Sequence, residues 1–264
     1  MTYAAQKSTT YWNKVPQVTL VFWLIKMMST TVGETAADFV NVRLHLGLSG
    51  TSVVTGLLLA GLLALQMRSR RYVPARYWST VVVISVFGTL VTDNLTDRLG
   101  VPLYASSLLF AFALAATFAL WYACERTLSI HCINTRRRES FYWTAILMTF
   151  ALGTAVGDWV AEGLGLGFAS TGLLFGGLIG VSALAYYGAA ANGIVCFWVA
   201  YILTRPLGAA CGDGLSQPLA NGGLGLGTTL TSGVFLTMIC ALVTYLSVTG
   251  HDRIDSAGQA PERA

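Results

Sequence analysis

Residues 153–158 read Gly153-Thr154-Ala155-Val156-Gly157-Asp158 and are followed by Glu162; they close an apolar run of helix length with a small polar cassette. The cassette recurs three times: Ser29-Thr30-Thr31-Val32-Gly33-Glu34 with Asp38, Gly88-Thr89-Leu90-Val91-Thr92-Asp93 with Asp97, and Gly208-Ala209-Ala210-Cys211-Gly212-Asp213 with Gln217. The lead acids are 59, 65 and 55 residues apart, which makes the chain an internal repeat in four copies.

The runs that end in these cassettes read as membrane spans. Hydrophobic residues make up 55% of the chain and charged residues only 11%, with a mean hydropathy of +0.63. A soluble domain carries about a quarter charged residues. Apolar windows of about 20 residues predict eight spans over 18–38, 51–67, 78–97, 103–123, 142–162, 170–187, 194–213 and 228–248. The expected fold is therefore all-α and transmembrane. It comprises a short N-terminal segment 1–17, a membrane domain 18–249 with repeats near 15–71, 72–137, 138–191 and 192–249, and a polar, disordered tail 250–264. No cleavable signal peptide is expected, because the first apolar run starts after a polar stretch and continues as a full span.

Each repeat holds two spans joined by a glycine turn, as in Leu46-Gly47-Leu48, Leu99-Gly100-Val101, Leu164-Gly165-Leu166-Gly167 and Leu224-Gly225-Leu226-Gly227. Two spans per unit give all four units one orientation. They are parallel repeats, read as helix hairpins pseudo-symmetric about an axis along the membrane normal.

Basic residues set the orientation. Lys7, Lys14, Arg68, Arg70, Arg71, Arg76, Arg126, Arg136, Arg137, Arg138, Arg253 and Arg263 share one side of an eight-span chain, while the other side holds only Arg43 and Arg98. The positive-inside rule then places both termini in the cytoplasm of a multi-pass bacterial inner-membrane protein. The basic balance reports topology and gives no support for nucleic acid. Trp12, Tyr77, Trp78, Tyr142 and Trp143 fall where an inner interfacial belt is expected. Five cysteines without a CxxC pair imply no disulfide framework, and His131 with Cys124 and Cys132 reads as a plain loop before a zinc site.

Residues four apart share a helix face. Counting back from each lead acid gives four stripes: Lys26, Thr30, Glu34, Asp38; Ser85, Thr89, Asp93, Asp97; Phe150, Thr154, Asp158, Glu162; and Arg205, Ala209, Asp213, Gln217. Lys26 and Arg205 occupy the same repeat position, roughly 12 Å below the acids at the α-helical rise. Seven carboxylates against two cations leave an excess of five negative charges. Poorly solvated carboxylates in such numbers cannot all stay ionised; they hold protons or admit a cation.

Carboxylate and hydroxyl oxygens suit Mg²⁺, Ca²⁺ or Mn²⁺ rather than a soft metal, and leave alkali ions and protons open. Glu34, Asp93, Asp158 and Asp213 are the expected metal ligands and proton acceptors. Asp38, Asp97 and Glu162 form an outer vestibule, Lys26 and Arg205 tune its charge, and Thr30, Thr89, Thr154 and Gln217 support it. No tightly bound cofactor and no enzymatic activity are expected. Partners are the lipid bilayer, an inorganic cation and protons. Gly172, Gly176, Gly177 and Gly180 predict that the sixth span packs closely on a neighbour or on a second subunit of a homo-oligomer.

The stretch Val15-Pro16-Gln17-Val18-Thr19, continuing through Phe22-Trp23 and Lys26 to Thr30-Thr31-Val32-Gly33-Glu34-Thr35, resembles a family of uncharacterised bacterial multi-spanning membrane proteins. The later Gly-Thr-x-x-Gly-Asp and Leu-Gly-Leu-Gly segments extend the resemblance over most of the chain, and it implies an inner-membrane location. The use of acidic cassettes on parallel helices is similar in kind to manganese and other cation exporters, whose signatures do not match here. The sequence thus predicts a secondary transporter that exchanges a hard cation for protons. A proton or cation channel using the same acids, and a scaffold whose polar stripes glue helices together, are the alternatives.

Overall fold

The computed structural model describes residues 13–40 and 47–252. Lys7, Trp12, Arg43, Arg253 and Arg263 of the sequence reading lie outside the described residues. Eight α-helices carry the described fold: α1 Leu20–Asp38, α2 Gly47–Arg68, α3 Pro74–Asp93, α4 Leu103–Glu125, α5 Arg136–Asp158, α6 Gly167–Gly188, α7 Gly193–Ser216 and α8 Thr228–Thr249. Their starts follow local chemistry. The Thr19 hydroxyl accepts from the Phe22 amide at α1, Thr135 does the same for Arg138 at α5, and Pro74 opens α3 where its missing N–H costs nothing.

Seven of the eight are long and apolar enough to cross a membrane. The eighth, α1, carries Lys26, Glu34, Asp38 and a run of hydroxyl residues that dilute its hydropathy. Burial sorts the seven. Between 44% and 67% of each span on α3, α5 and α7 is buried, against 17–22% on α2, α4, α6 and α8. The odd helices are the inner ones, and the even helices turn Leu57, Phe112, Leu173 and Val234 outward as a lipid-facing surface would.

The inner helices close a ring: α1 packs on α3 and α7, and α5 packs on α3 and α7. Cassette glycines make the approaches. Gly88 lies against Phe150 and Ala151 of α5, Gly153 against Arg205 and Pro206 of α7, and Gly208 against Thr30 and Thr31 of α1. A Cβ on Gly208 would come within 2.4 Å of Thr30 Cβ, so no larger residue lets these backbones meet. Thr92 adds an interhelical bond, donating to the Ala151 carbonyl at 2.9 Å.

The packing corrects the hairpin reading. Each even helix docks mainly on the odd helix that begins the next repeat: α2 on α3, α4 on α5, α6 on α7, and α8 back on α1. Polar links one residue beyond the lead acid fix this exchange. Asn94 donates to Ser52 of α2 at 2.8 Å, and Thr35 shares a 2.6 Å hydroxyl bond with Ser232 of α8. The α6 glycines are part of the same docking, since Gly172 and Gly176 approach Leu207 of α7, whereas Gly177 and Gly180 meet nothing within 4 Å.

Two further expectations change. Tyr77, Trp78, Tyr142 and Trp143 are buried inside the bundle and form no outward belt; they lie on faces that the ring encloses. The tail is ordered at its start, because Asp252 is 1% exposed and accepts a hydrogen bond from Tyr72.

Candidate functional site

All four cassettes come to the same end of the ring. Glycines with φ between +65° and +74° at Gly47, Gly100, Gly165 and Gly225 turn the chain there, a left-handed conformation that glycine adopts without strain. In α3 and α5 the helix passes directly after the lead acid into π-helical turns, Asn94–Arg98 and Trp159–Gly163, so that Asp97 and Glu162 sit on widened turns at the mouth. The fourth cassette differs: α7 runs to Ser216 and Gln217 caps it in extended conformation.

Exposure falls along the stripes. Asp97 and Glu162 are exposed, Asp38, Asp93, Asp158 and Gln217 are half-buried, and Glu34 and Asp213 are buried. Glu34 is the electrostatic hub, because Asp93, Asp158 and Asp213 each interact with its charge and with that of Arg205. Among the described residues, no three of His, Cys, Asp and Glu are grouped as ligands for a metal ion. The lead acids are gathered at one end without forming a ready metal nest, and Cys124 and Cys132 are free and exposed.

The centre of the ring is filled by Arg205. Its guanidinium is fully buried and draws on three repeats besides its own. Nη2 has three acceptors around its two N–H groups, Glu34 Oε2 at 2.8 Å, Thr154 Oγ1 at 2.7 Å and Thr89 Oγ1, so that at least one proton is shared; Nη1 donates to the Thr30 carbonyl at 3.3 Å, and Nε has no hydrogen-bond partner among the described residues. Thr89 and Thr154 are oriented for this by donating their own protons to the Ser85 and Phe150 carbonyls one turn back. The fourth equivalent position is Ala209, whose methyl leaves the helix that carries the guanidinium without a competing hydroxyl. A planar fork of donors suits such a spread of oxygen acceptors.

Lys26, at the same repeat position, has a different environment. It is fully buried and its Nζ makes no hydrogen bond. The amine lies 3.9 Å from the ring centroid of Phe150 and 4.3 Å from that of Tyr201, and the guanidinium carbon of Arg205 lies 5.9 Å from the same Phe150 ring. One aromatic face therefore stands beside both cations. Arg205 thus pairs with the lead acid Glu34, whereas the Lys26 amine makes no hydrogen bond to any of the acids.

Below the cations the ring is sealed. Phe22, Val81, Ile146 and Tyr201, each twelve residues before a lead acid, are 0–1% exposed. One turn further, the Tyr77 and Tyr142 hydroxyls bond to each other at 2.5 Å, with Trp78, Trp143 and Trp198 packed around them. Sequence reasoning stopped the stripes too early to see this. Tyr77 and Tyr142 both stand sixteen residues before their acids, and continuing the count by fours reaches them. It also missed the buried hydroxyl residues of the even helices, among them Thr51, Ser106, Thr171 and Thr231, which only the docking of those helices explains.

The model of a repeat family described as Repeat of Unknown Function (DUF347) matches the chain four times, over residues 21–72, 76–127, 141–192 and 196–252. The chain belongs to the DUF347 family. Each DUF347 unit spans one odd helix with its cassette and the even helix that follows, so the family repeat and the cassette repeat coincide. No curated protein and no solved structure matches this DUF347 chain.

Proposed function

We propose that this protein is an ion-coupled secondary transporter of the bacterial inner membrane that exchanges protons for a hard cation at the carboxylate end of the ring. In this reading the four repeats are arranged with pseudo-fourfold symmetry about the membrane normal, and the basic loops face the cytoplasm. The observation that carries it is the seat of Arg205. Two threonine hydroxyls, a main-chain carbonyl and the Glu34 carboxylate converge on one positive group, and an oxygen set of this kind also suits a partly dehydrated cation such as Mn²⁺ or Mg²⁺ as substrate. An internal cation that occupies the seat makes the resting state charge-compensated and blocks uncoupled leak. Substrate enters past Asp97, Glu162 and Asp38, displaces Arg205 from Glu34, and is held by the lead acids Glu34, Asp93, Asp158 and Asp213, which release protons as it binds. Thr30, Thr89, Thr154 and Gln217 support the seat.

Purified protein in liposomes, loaded with a pH dye and given Mn²⁺ outside, should move Mn²⁺ inward and protons outward. Asp93→Asn and Asp158→Asn should lower both fluxes together by at least tenfold. Normal exchange in both variants overturns the reading.

A scaffold reading is favoured by one observation, the interhelical Glu34–Arg205 salt bridge, which would also serve a purely structural protein. The same vesicles decide: a scaffold passes no ion in any form, and its Asp93→Asn variant changes melting temperature only.

A further inference from the structure

The end of the ring opposite the acids is crossed by the chain itself. Residues 13–18 precede α1 and run over this basic end. Gln17 donates its amide to the Asp252 carbonyl beyond α8 at 2.9 Å. Lys14 donates its amide to the Ile133 carbonyl at 3.0 Å, and Asn13 both donates to Ile130 and accepts from the Ile133 amide. Those partners lie at the foot of α5. In the ring α1 and α5 stand opposite each other, because each packs on both α3 and α7. A segment that leaves α1 and reaches the foot of α5 therefore passes across the axis. Val15 at its centre is 2% exposed and belongs to the same apolar cluster as Tyr77 and Tyr142.

The segment is latched by charge. Lys14 Nζ bonds Glu139 Oε2 at 2.7 Å and the Met67 carbonyl at 3.3 Å, and Gln66 bonds both the Lys14 carbonyl and Glu139 Oε1 at 3.4 Å. Glu139 is 1% exposed although it lies in the first turn of α5, where a carboxylate is favoured by the helix end but ordinarily stays in water. A second tie is the Tyr72 hydroxyl on Asp252; burial first, and then the neighbouring carboxylate, push this phenol up, so it remains a donor. One short segment of chain thus joins the ends of α2, α5 and α8 over the basic end of the ring.

We propose that residues 13–18 form the inner gate of the exchanger, held shut by the Lys14–Glu139 ion pair, and that this pair must part for the cation seat to communicate with the basic side. The proposal rests on the transport reading above, but its first test does not. In a background without native cysteines, Gln66→Cys places a thiol against the segment; it gives up the two 3.4 Å bonds of Gln66 and keeps the Lys14–Glu139 pair. A membrane-impermeant thiol reagent applied from the basic side should label it slowly in the latched protein. Adding Lys14→Ala should raise the rate at least tenfold, and the exchanged pair Lys14→Glu with Glu139→Lys should bring it back down. Equal labelling rates in all three overturn the gate. The second test joins Lys14→Cys to Glu139→Cys by oxidation in the proteoliposomes: Mn²⁺ and proton exchange should fall at least tenfold and return on reduction. Unchanged exchange in the locked protein overturns the gate and leaves the exchanger standing. Loss of exchange in every form, with labelling still latch-dependent, overturns the exchanger and leaves the gate.

Discussion

Arg205 of α7 and Glu34 of α1 face each other at 2.8 Å across the seam where the last repeat meets the first. Both are buried, so removing one partner strands a charge with no water to receive it. Arg205→Ala or Glu34→Gln should each cost about 3–5 kcal/mol, whereas removing both charges together should cost less than the two single losses combined. Arg205→Lys should recover little, since one ammonium cannot reach Glu34, Thr89, Thr154 and the Thr30 carbonyl together. Unfolding of the four variants in mixed micelles measures this. Additive single losses in the double variant would separate the residues energetically.

Lys26 should behave in the opposite way. Its amine bonds no acceptor and rests on two aromatic faces. Lys26→Met keeps the length of the side chain and removes a buried ionisable group, so stability should be equal or higher, by up to about 4 kcal/mol by analogy with other buried charges replaced by apolar groups. A loss of more than about 1 kcal/mol in the same unfolding experiment would show that the rings of Phe150 and Tyr201 hold the ammonium firmly.

The glycines divide by what a methyl group would meet. Gly208→Ala drives Cβ into Thr30 and to 3.3 Å from the Thr31 amide, so the ring must open, at about 1–3 kcal/mol or more. Gly61→Ala on α2 meets nothing within 4 Å and should gain roughly 0.5–1 kcal/mol from helix propensity alone. Melting temperatures of the pair should move in opposite directions. A rise in both would show that Thr30 gives way to the added methyl and that the close approach does not require glycine.

The repeat, the helices and the convergence of four cassettes were legible because charge and glycine recur at fixed distances along the chain. Which helices touch was not. Periodicity reports the polar side of a helix but not its neighbour, so α2 was assigned to α1 although Asn94 ties it to α3. The roles of Lys26 and Arg205 were equally hidden. Identical repeat positions suggested identical work, but Phe150 stands beside Lys26 and hydroxyls stand around Arg205. The tyrosines at 77 and 142 were misplaced for a simpler reason: an aromatic residue near the end of a span satisfies an interface and a core equally well, and only its register on the stripe separates the two.

The docking of α8 on α1 has a consequence for how the molecule is made. Of the eight described helices synthesis delivers α1 first and α8 last, yet α1 has the most ionisable residues in its stripe and is the one not apolar enough to be counted among the seven spans. Its two flanks on the ring are α3, which follows soon, and α7, which does not exist until most of the chain has been translated. Until then Glu34 has no Arg205 to pair with. The earliest of the described helices is therefore the last to be enclosed, and without α7 and α8 the circle stays open on the side of Glu34.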